Sequence, residues 1–499
     1  MTLYIDGHAF HYEMENLCRV FYPQERIRVV YEPVEDEVVI ATSLRKGETT
    51  TALTASYQAF VTKESRIRQV ENSSPDYEKE CERQMAVALF EVLVKVHGFT
   101  PKWGILTGVR PVKLMRRLIA EEGSEEAAAR YFRERLLVSE EKTKLALHTV
   151  KAENVHLAKS RPDSFSLYIS IPFCPTRCAY CSFVSVGIEK TFKLIPDYVR
   201  LLCKEIEETG KIAKDLGLHL ETVYFGGGTP TTLTAEQLTA LLDAVRENFD
   251  LSTVREYTVE AGRPDTITKE KLDALKKGGV TRISINPQTM HDEVLAAIGR
   301  RHTAAQTVEA FHLARAAGFS NINMDLIAGL PADTAEGFAD TLRQVIELCP
   351  ESVTVHTLSL KRASDLNQSG EGAARSAGNE VADMLHTAQA MLGTVGLSPY
   401  YLYRQSRTLG NLENVGYSKP GFDGLYNVYI MDETHTILAV GAGAVTKLKQ
   451  PDGPYIERIF NYKFPYEYNE RFDALLEKKK KVYEFYGRYP TDVTGFGGN

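Results

Sequence analysis

No run of about 18 consecutive apolar residues occurs in the chain, which excludes a conventional membrane-spanning helix. The opening stretch "MTLYIDGHAFHYEMENL" has no basic segment followed by an apolar core, so a secretory signal is not expected. Basic residues are not in excess: 59 Lys and Arg stand against 66 Asp and Glu, a formal net charge of −7. With no long basic arm, general nucleic-acid binding is not expected either. Cysteine is scarce at seven residues, and Cys18, Cys81, Cys203 and Cys349 are scattered singly. A secreted disulfide framework is denser and more evenly paired. A reducing, cytoplasmic setting follows, with those four expected as small apolar core residues. Internal repeats and long low-complexity tracts are absent. What is left, 43% hydrophobic and 25% charged, is ordinary globular composition, and 499 residues exceed one core, so two or three domains are expected.

Residues 1–158 read as an N-terminal α+β domain. "TLYIDG", "RIRVVYEPV" and "EVVIATSL" have strand character. A helix is predicted over 76–97, where Met85, Leu89, Leu93 and Val96 recur at spacings of three and four. "GVRPVK" concentrates charge ahead of a helix; it reads as a solvated turn or as a contact to an acidic ligand or the next domain. "KSRPDSF" is a polar linker. From residue 165 to 395 six strands alternate with helices, which demands parallel strands and right-handed crossovers. The strands end in glycines and polar residues, so the α/β fold expected is a partial (β/α)6 TIM-like barrel with its chemistry at the carboxyl ends. Residues 396–499 lose this rhythm and read as a strand-containing extension, a lid over the barrel mouth. The "EKKKK" run near the end reads as a solvated helix face.

"CPTRCAYC" places Cys174, Cys178 and Cys181 in a C-x3-C-x2-C spacing directly after the strand "LYISIPF". Structural zinc takes four N or S ligands, and neither a second pair nor a nearby His is present. A disulfide would leave one thiol over. Thiolates spaced this closely suit an iron–sulfur cluster with one iron lacking a protein ligand, and zinc or a buried structural trio stand as the alternatives. Tyr180 puts an aromatic ring between two of the thiols, where it shields the cluster or touches a ligand. "FGGGTP" ends the second strand with Gly227, Gly228 and Thr229: a cradle for closely approaching ligand, or a tight turn. Glu260 ends the third strand, Gln288 ends the fourth, Arg300 falls on the next helix and Asp325 lies on the fifth strand.

The triad with these strand-end residues resembles the radical S-adenosylmethionine (SAM) superfamily. In order and spacing it is similar to the oxygen-independent coproporphyrinogen III oxidase family, which includes the dehydrogenases and the HemW-type haem chaperones. "GVRPVK", "LGNLENVGYSKPG" and "YNVYIMDETHTILAVGAGA" most resemble the HemZ-type branch. The resemblance implies a [4Fe-4S] cluster on Cys174, Cys178 and Cys181, its open iron chelating SAM. It further implies that Gly227, Gly228 and Thr229 hold the methionine end, and that Tyr168, Glu260, Gln288, Arg300 and Asp325 line the SAM site. The implied reaction is the oxidative decarboxylation of two propionates of coproporphyrinogen III to vinyls, with an electron donor such as a flavodoxin or ferredoxin. Arg177, Lys361 and Arg362 are candidate propionate partners. The alternatives are a haem chaperone, with His356 as a candidate haem ligand, and a haem-degrading methyltransferase. One departure stands out: the dehydrogenases carry a fourth cysteine where this chain has Phe183.

Overall fold

A computed structural model describes residues 1–490 except 24, 182–183, 360–370 and 406–407. Thr2–Asp6 (β1), His11–Phe21 (α1), Arg28–Val30 (β2), Val38–Lys46 (β3), Thr50–Ala59 (β4) and Thr62–Glu71 (β5) open the chain, and Tyr77–His97 (α2) follows. The strands form a five-stranded sheet in the order β2-β1-β3-β4-β5. In β4 every second residue is buried, Leu53, Ala55 and Tyr57 among them, because a strand turns alternate side chains to one face. Met14, Leu17 and Phe21 of α1 and Met85, Leu89 and Leu93 of α2 complete that core. Gly98, at φ 71°, ends α2 by donating its N–H to Val94 O at 2.8 Å. The helix predicted over 76–97 is α2; α1 was missed, although Met14, Leu17, Cys18 and Phe21 fall at helical spacing.

Pro111–Glu122 (α3), Glu125–Arg130 (α4) and Glu140–Leu157 (α5) lead to the barrel. The barrel runs Ser164–Ile171 (β6), Phe173–Cys174 (β7), Val186–Gly187 (β8), Ile188–Thr191 (α6), Ile195–Asp215 (α7), His219–Gly227 (β9), Ala235–Asn248 (α8), Glu256–Glu260 (β10), Lys269–Lys277 (α9), Arg282–Ser284 (β11), Asp292–Ala297 (α10), Ala304–Ala316 (α11), Ile322–Ala328 (β12), Ala335–Glu347 (α12) and Ser352–Thr357 (β13). Neighbouring strands β6-β9-β10-β11-β12-β13 pair in parallel, giving the expected partial (β/α)6 barrel. Local signals set the helix starts: Thr234 and Gln237 form the capping box of α8, and Pro196 sits in the first turn of α7. Leu167, Ile169, Val223, Phe225, Val259, Ile283, Met324 and Val353 face the helices and are buried in the main core. The alternate positions, among them Ser166, Thr222, Thr258, Ser284, Asn323 and Thr354, are polar. Their face is the barrel interior, where Thr222 donates to Ser166 and Asn323 to Ser284.

Glu371–Thr394 (α13), Ser398–Arg404 (β14), Glu413–Ser418 (β15), Leu425–Asp432 (α14), Thr436–Val440 (β16), Val445–Lys449 (β17), Ile456–Phe460 (β18), Pro465–Glu470 (α15), Phe472–Lys479 (α16) and Lys481–Arg488 (α17) complete the chain. In place of the expected lid, this region extends the barrel sheet at both edges to eleven strands, β14-β15-β13-β12-β11-β10-β9-β6-β16-β17-β18. β16 pairs in parallel with β6, so its carboxyl end also points to the mouth. Helix α14 sits at the amino end of the barrel: Glu256, the first residue of β10, accepts from the N–H groups of Leu425 at 2.7 Å and Tyr426 at 3.2 Å. Unpaired N–H groups at a helix start favour such a carboxylate.

Three expectations need correction. The basic residues around "GVRPVK" are not a solvated turn: Arg110 pairs with Glu433 at 2.7 Å, Lys113 donates to Asp432 O at 2.7 Å and Arg116 bridges Glu153 and Asp432. They clamp the last turn of α14, where carbonyls attract cations. Lys479 is not solvated but buried, paired with the fully buried Glu205 at 2.9 Å. Cys349 is exposed rather than in the core, because it follows α12 at φ 55°, outside the helix.

Candidate functional site

The thiols stand at the carboxyl end of β6. Cys174 closes β7, and Cys178 and Cys181 lie in the loop that returns to β8, with Cys181 N donating to Cys178 O at 3.1 Å. None of the seven cysteines is in a disulfide. Burial pushes the Cys174 thiol up; Thr229 and Ser185 oppose this, and the neighbouring Cys181 and Cys178 add to it. Among the described residues no three His, Cys, Asp or Glu side chains converge on a single metal ion, whereas a cubane takes each thiolate on a different iron. The donor set fits an iron–sulfur cluster.

The second strand closes over this loop. Gly228 N donates to Ile171 O at 2.8 Å and Thr229 N to Phe173 O at 2.7 Å, while the Thr229 hydroxyl reaches Cys174 Sγ at 3.5 Å. A Cβ on Gly228 would stand 2.6 Å from Phe173 O and 2.8 Å from Ile171 O, so no side chain fits there. Gly227 takes φ 106°, the left-handed side open to glycine.

Two buried guanidiniums hold the other side of the loop. Arg300 donates to Asn286 O at 2.8 Å, Gly262 O at 3.2 Å and the Tyr180 hydroxyl at 3.0 Å. It was expected on a helix, but α10 ends at Ala297 and α11 begins at Ala304, so Arg300 sits in the turn between them. Leaving the helix lets its side chain reach back across β10 and β11. Arg263 locks onto Asp265 and donates to Thr176 Oγ1 at 3.1 Å. Sequence reasoning missed it, although its place in the loop after β10 was a signal, since chemistry gathers at the carboxyl ends.

The remaining expected residues line the mouth and interior. Gln288 is held in the left-handed region at φ 71° by its backbone bonds, N to Asp325 O at 3.0 Å and O from Ile327 N at 3.1 Å. Such strain in a non-glycine residue marks functional sites, and its buried Oε1 has no partner among the described residues. Glu260 accepts from the Tyr224 hydroxyl at 2.6 Å. Burial pushes Glu260 up to about 7, Tyr224 opposes this, and Asp325 adds to it. Asp325 moves the other way: burial would raise it, but His356, with Nε2 3.7 Å away, and hydrogen bonds from Asn323 and Thr354 hold it below the usual carboxylate range. Tyr168 stacks with Tyr224 and Tyr426 at 6.2 and 5.9 Å between ring centroids. His356 faces Asp325 and, at 3.4 Å, the Tyr403 hydroxyl. Arg177 is exposed between Cys174 and Cys178. Lys361, Arg362 and Phe183 lie outside the described residues.

The model of the radical SAM superfamily matches residues 168–345. The oxygen-independent coproporphyrinogen-III oxidase-like protein HemZ of Bacillus subtilis (strain 168) is 40% identical over 97% of this chain and 98% of its own length. The heme chaperone HemW of Haemophilus influenzae is 31% identical over 63% of this chain and 78% of its own length. Among solved structures, the coproporphyrinogen III oxidase HemN of Escherichia coli matches at 24% identity with a TM-score of 0.49, covering 65% of this chain and 72% of that one.

Proposed function

From a chain that belongs to the radical SAM superfamily and, within it, to the oxygen-independent coproporphyrinogen-III oxidase-like family, we propose an enzyme that decarboxylates two propionates of coproporphyrinogen III to vinyls, giving protoporphyrinogen IX. The superfamily's cofactors, a [4Fe-4S] cluster and SAM, are this chain's cofactors. The observation that supports the porphyrinogen reading is similarity along nearly the full length to a protein of that name, not along the barrel alone.

In this reading Cys174, Cys178 and Cys181 hold the cluster. Gly227, Gly228 and Thr229 offer backbone and hydroxyl to the methionine end of SAM; Tyr168, Glu260, Gln288, Arg300 and Asp325 line the rest, and Tyr180 covers the cluster. When bound, cluster and SAM supply a carbon-centred oxidant able to take a hydrogen atom from an unactivated carbon. The chain's own part is positioning and exclusion of water. Glu260, raised to about 7, is able to carry its proton near neutral pH and donate a hydrogen bond, while Asp325 beside it stays anionic. Each event removes one hydrogen atom from the β-carbon, releases the carboxylate as carbon dioxide and passes one electron to an acceptor. Arg177 is exposed at the mouth to meet a propionate, and the donor is a flavodoxin- or ferredoxin-type protein. Among the described residues no helix is long and apolar enough to cross a membrane. Seven cysteines without a disulfide and reductive chemistry support a cytoplasmic setting.

The test is product analysis. Reconstituted protein is incubated without oxygen with coproporphyrinogen III, SAM and dithionite. Vinyl-bearing product with released carbon dioxide is expected. Stable haem binding without turnover would instead favour the chaperone activity named for its HemW relatives, and ring-opened haem a degrading enzyme.

A further inference from the structure

Arg263 is only 2% exposed, yet nothing apolar explains its burial. Nε and Nη2 grip both oxygens of Asp265 at 2.9 Å each, and Nη1 donates to Thr176 Oγ1 at 3.1 Å and lies 3.9 Å from Cys178 Sγ. Asp265 lies on the far side of the guanidinium from the thiol. His302, 2% exposed with both ring nitrogens unpartnered among the described residues, sits beside this pair. It is held down to about 4, by burial first and then by Arg300 and Arg263, and so adds no charge of its own near neutral pH. A buried ion pair is costly relative to apolar packing of the same volume, so its stability value does not account for it. The geometry directs the Arg263 cation at a cluster ligand.

We propose that Arg263 sets the reduction potential of the cluster held at Cys178, with Asp265 fixing the guanidinium and partly offsetting its charge. The inference rests on the three thiols holding the cluster. Cluster potentials follow net charge, hydrogen bonds to the sulfurs and solvent exposure. Reduction takes one electron from a low-potential one-electron donor, makes the cluster more negative, and forms or breaks no bond. A fixed cation beside a ligand sulfur stabilises that reduced form. Arg300 also bears on Cys178, while its Nη atoms donate to Tyr180 and to the backbone beneath the proposed SAM site. Among the described residues the donors of Arg263 go to Thr176, Cys178 and Asp265, which makes it a positioning residue for the cluster's charge.

The experiment is an anaerobic redox titration read by the electron paramagnetic resonance of the reduced cluster, on protein matched for iron and sulfide. Arg263→Gln is expected to lower the reduced-to-oxidised ratio at fixed poise about tenfold, a shift of about 59 mV to more negative potential. Asp265→Asn, which leaves the cation uncompensated, is expected to shift it the opposite way, and Arg263→Lys to stay near the parent value. A merely structural role would not give opposite signs. A loaded Arg263→Gln protein with the parent potential overturns the inference. If that variant fails to load, a loaded Asp265→Asn protein with an unshifted or lowered potential overturns it instead. Parent protein that takes up no iron or sulfide defeats the cluster assignment itself, a result separable from the others.

Discussion

The two ends of the barrel treat buried polar groups in opposite ways. At the amino end several are met by the chain itself, although Tyr400 Oη and His156 Nδ1 lack hydrogen-bond partners among the described residues. Glu256 caps α14, and Arg282 donates to Phe422 O and Ser352 Oγ, both at 2.9 Å. His435 is hydrogen-bonded through both nitrogens, to Ser160 and Ser166, at 2.8 Å each. At the carboxyl end, capacity is left over. Gln288 Oε1, Arg300 Nε and both nitrogens of His302 lack partners among the described residues, and Gln288 is strained. Burying an unmet polar group costs about 1–3 kcal/mol, so a fold retains one where something else meets it. The capacity left over at the carboxyl end supports the proposed ligand site there.

That contrast breaks most sharply at the thiols. Cys178→Ala is expected to abolish the cluster's visible absorption and all turnover together while the helical circular dichroism stays intact; persistent turnover would refute the assigned role. Gly228→Ala comes next. Its Cβ collides with Phe173 O and Ile171 O, so SAM affinity should fall about tenfold or more in equilibrium dialysis, with iron content reduced. An unchanged dissociation constant would mean that SAM lies elsewhere. At the amino end the expected pattern reverses. Glu256→Ala orphans the start of α14 and should lower stability by about 1–3 kcal/mol in urea titration, while the protein still loads iron and sulfide. The smallest effect is electrostatic. Because Glu260 is raised from 4.5 to about 7, the folded state binds its proton more tightly than the unfolded state does. Its contribution is present below pH 4.5 and is lost as pH rises through about 7. Glu260→Gln should flatten that part of the stability–pH profile; an identical slope would remove Glu260 from the account.

Much of the barrel was legible in sequence because its signals are local. Thr234 with Gln237, Thr268 before α9 and Thr334 before α12 are caps written within four residues, and the structure uses each one. The thiol spacing is equally local. Arg300 was found, but its place in a turn was not, since "GRRH" reads the same as a basic helix end. Arg263 escaped because its meaning depends on Thr176 and Cys178, 87 and 85 residues away in the chain. "GVRPVK" offered two readings, and only Glu433 and Asp432, more than 300 residues on, decided between them. Lys479 illustrates the same limit: within a lysine run nothing marks the one that meets a buried carboxylate.

The sequence by itself determined the alternation of strands and helices and pointed to a three-sulfur ligand set, because hydrophobic period, capping and ligand spacing act over a few residues. Tertiary structure alone decided that β16 lies beside β6, that α14 fills the amino end, and which guanidinium faces which sulfur. Those outcomes depend on long-range strand pairing and on burying charge against a partner that no neighbouring residue announces.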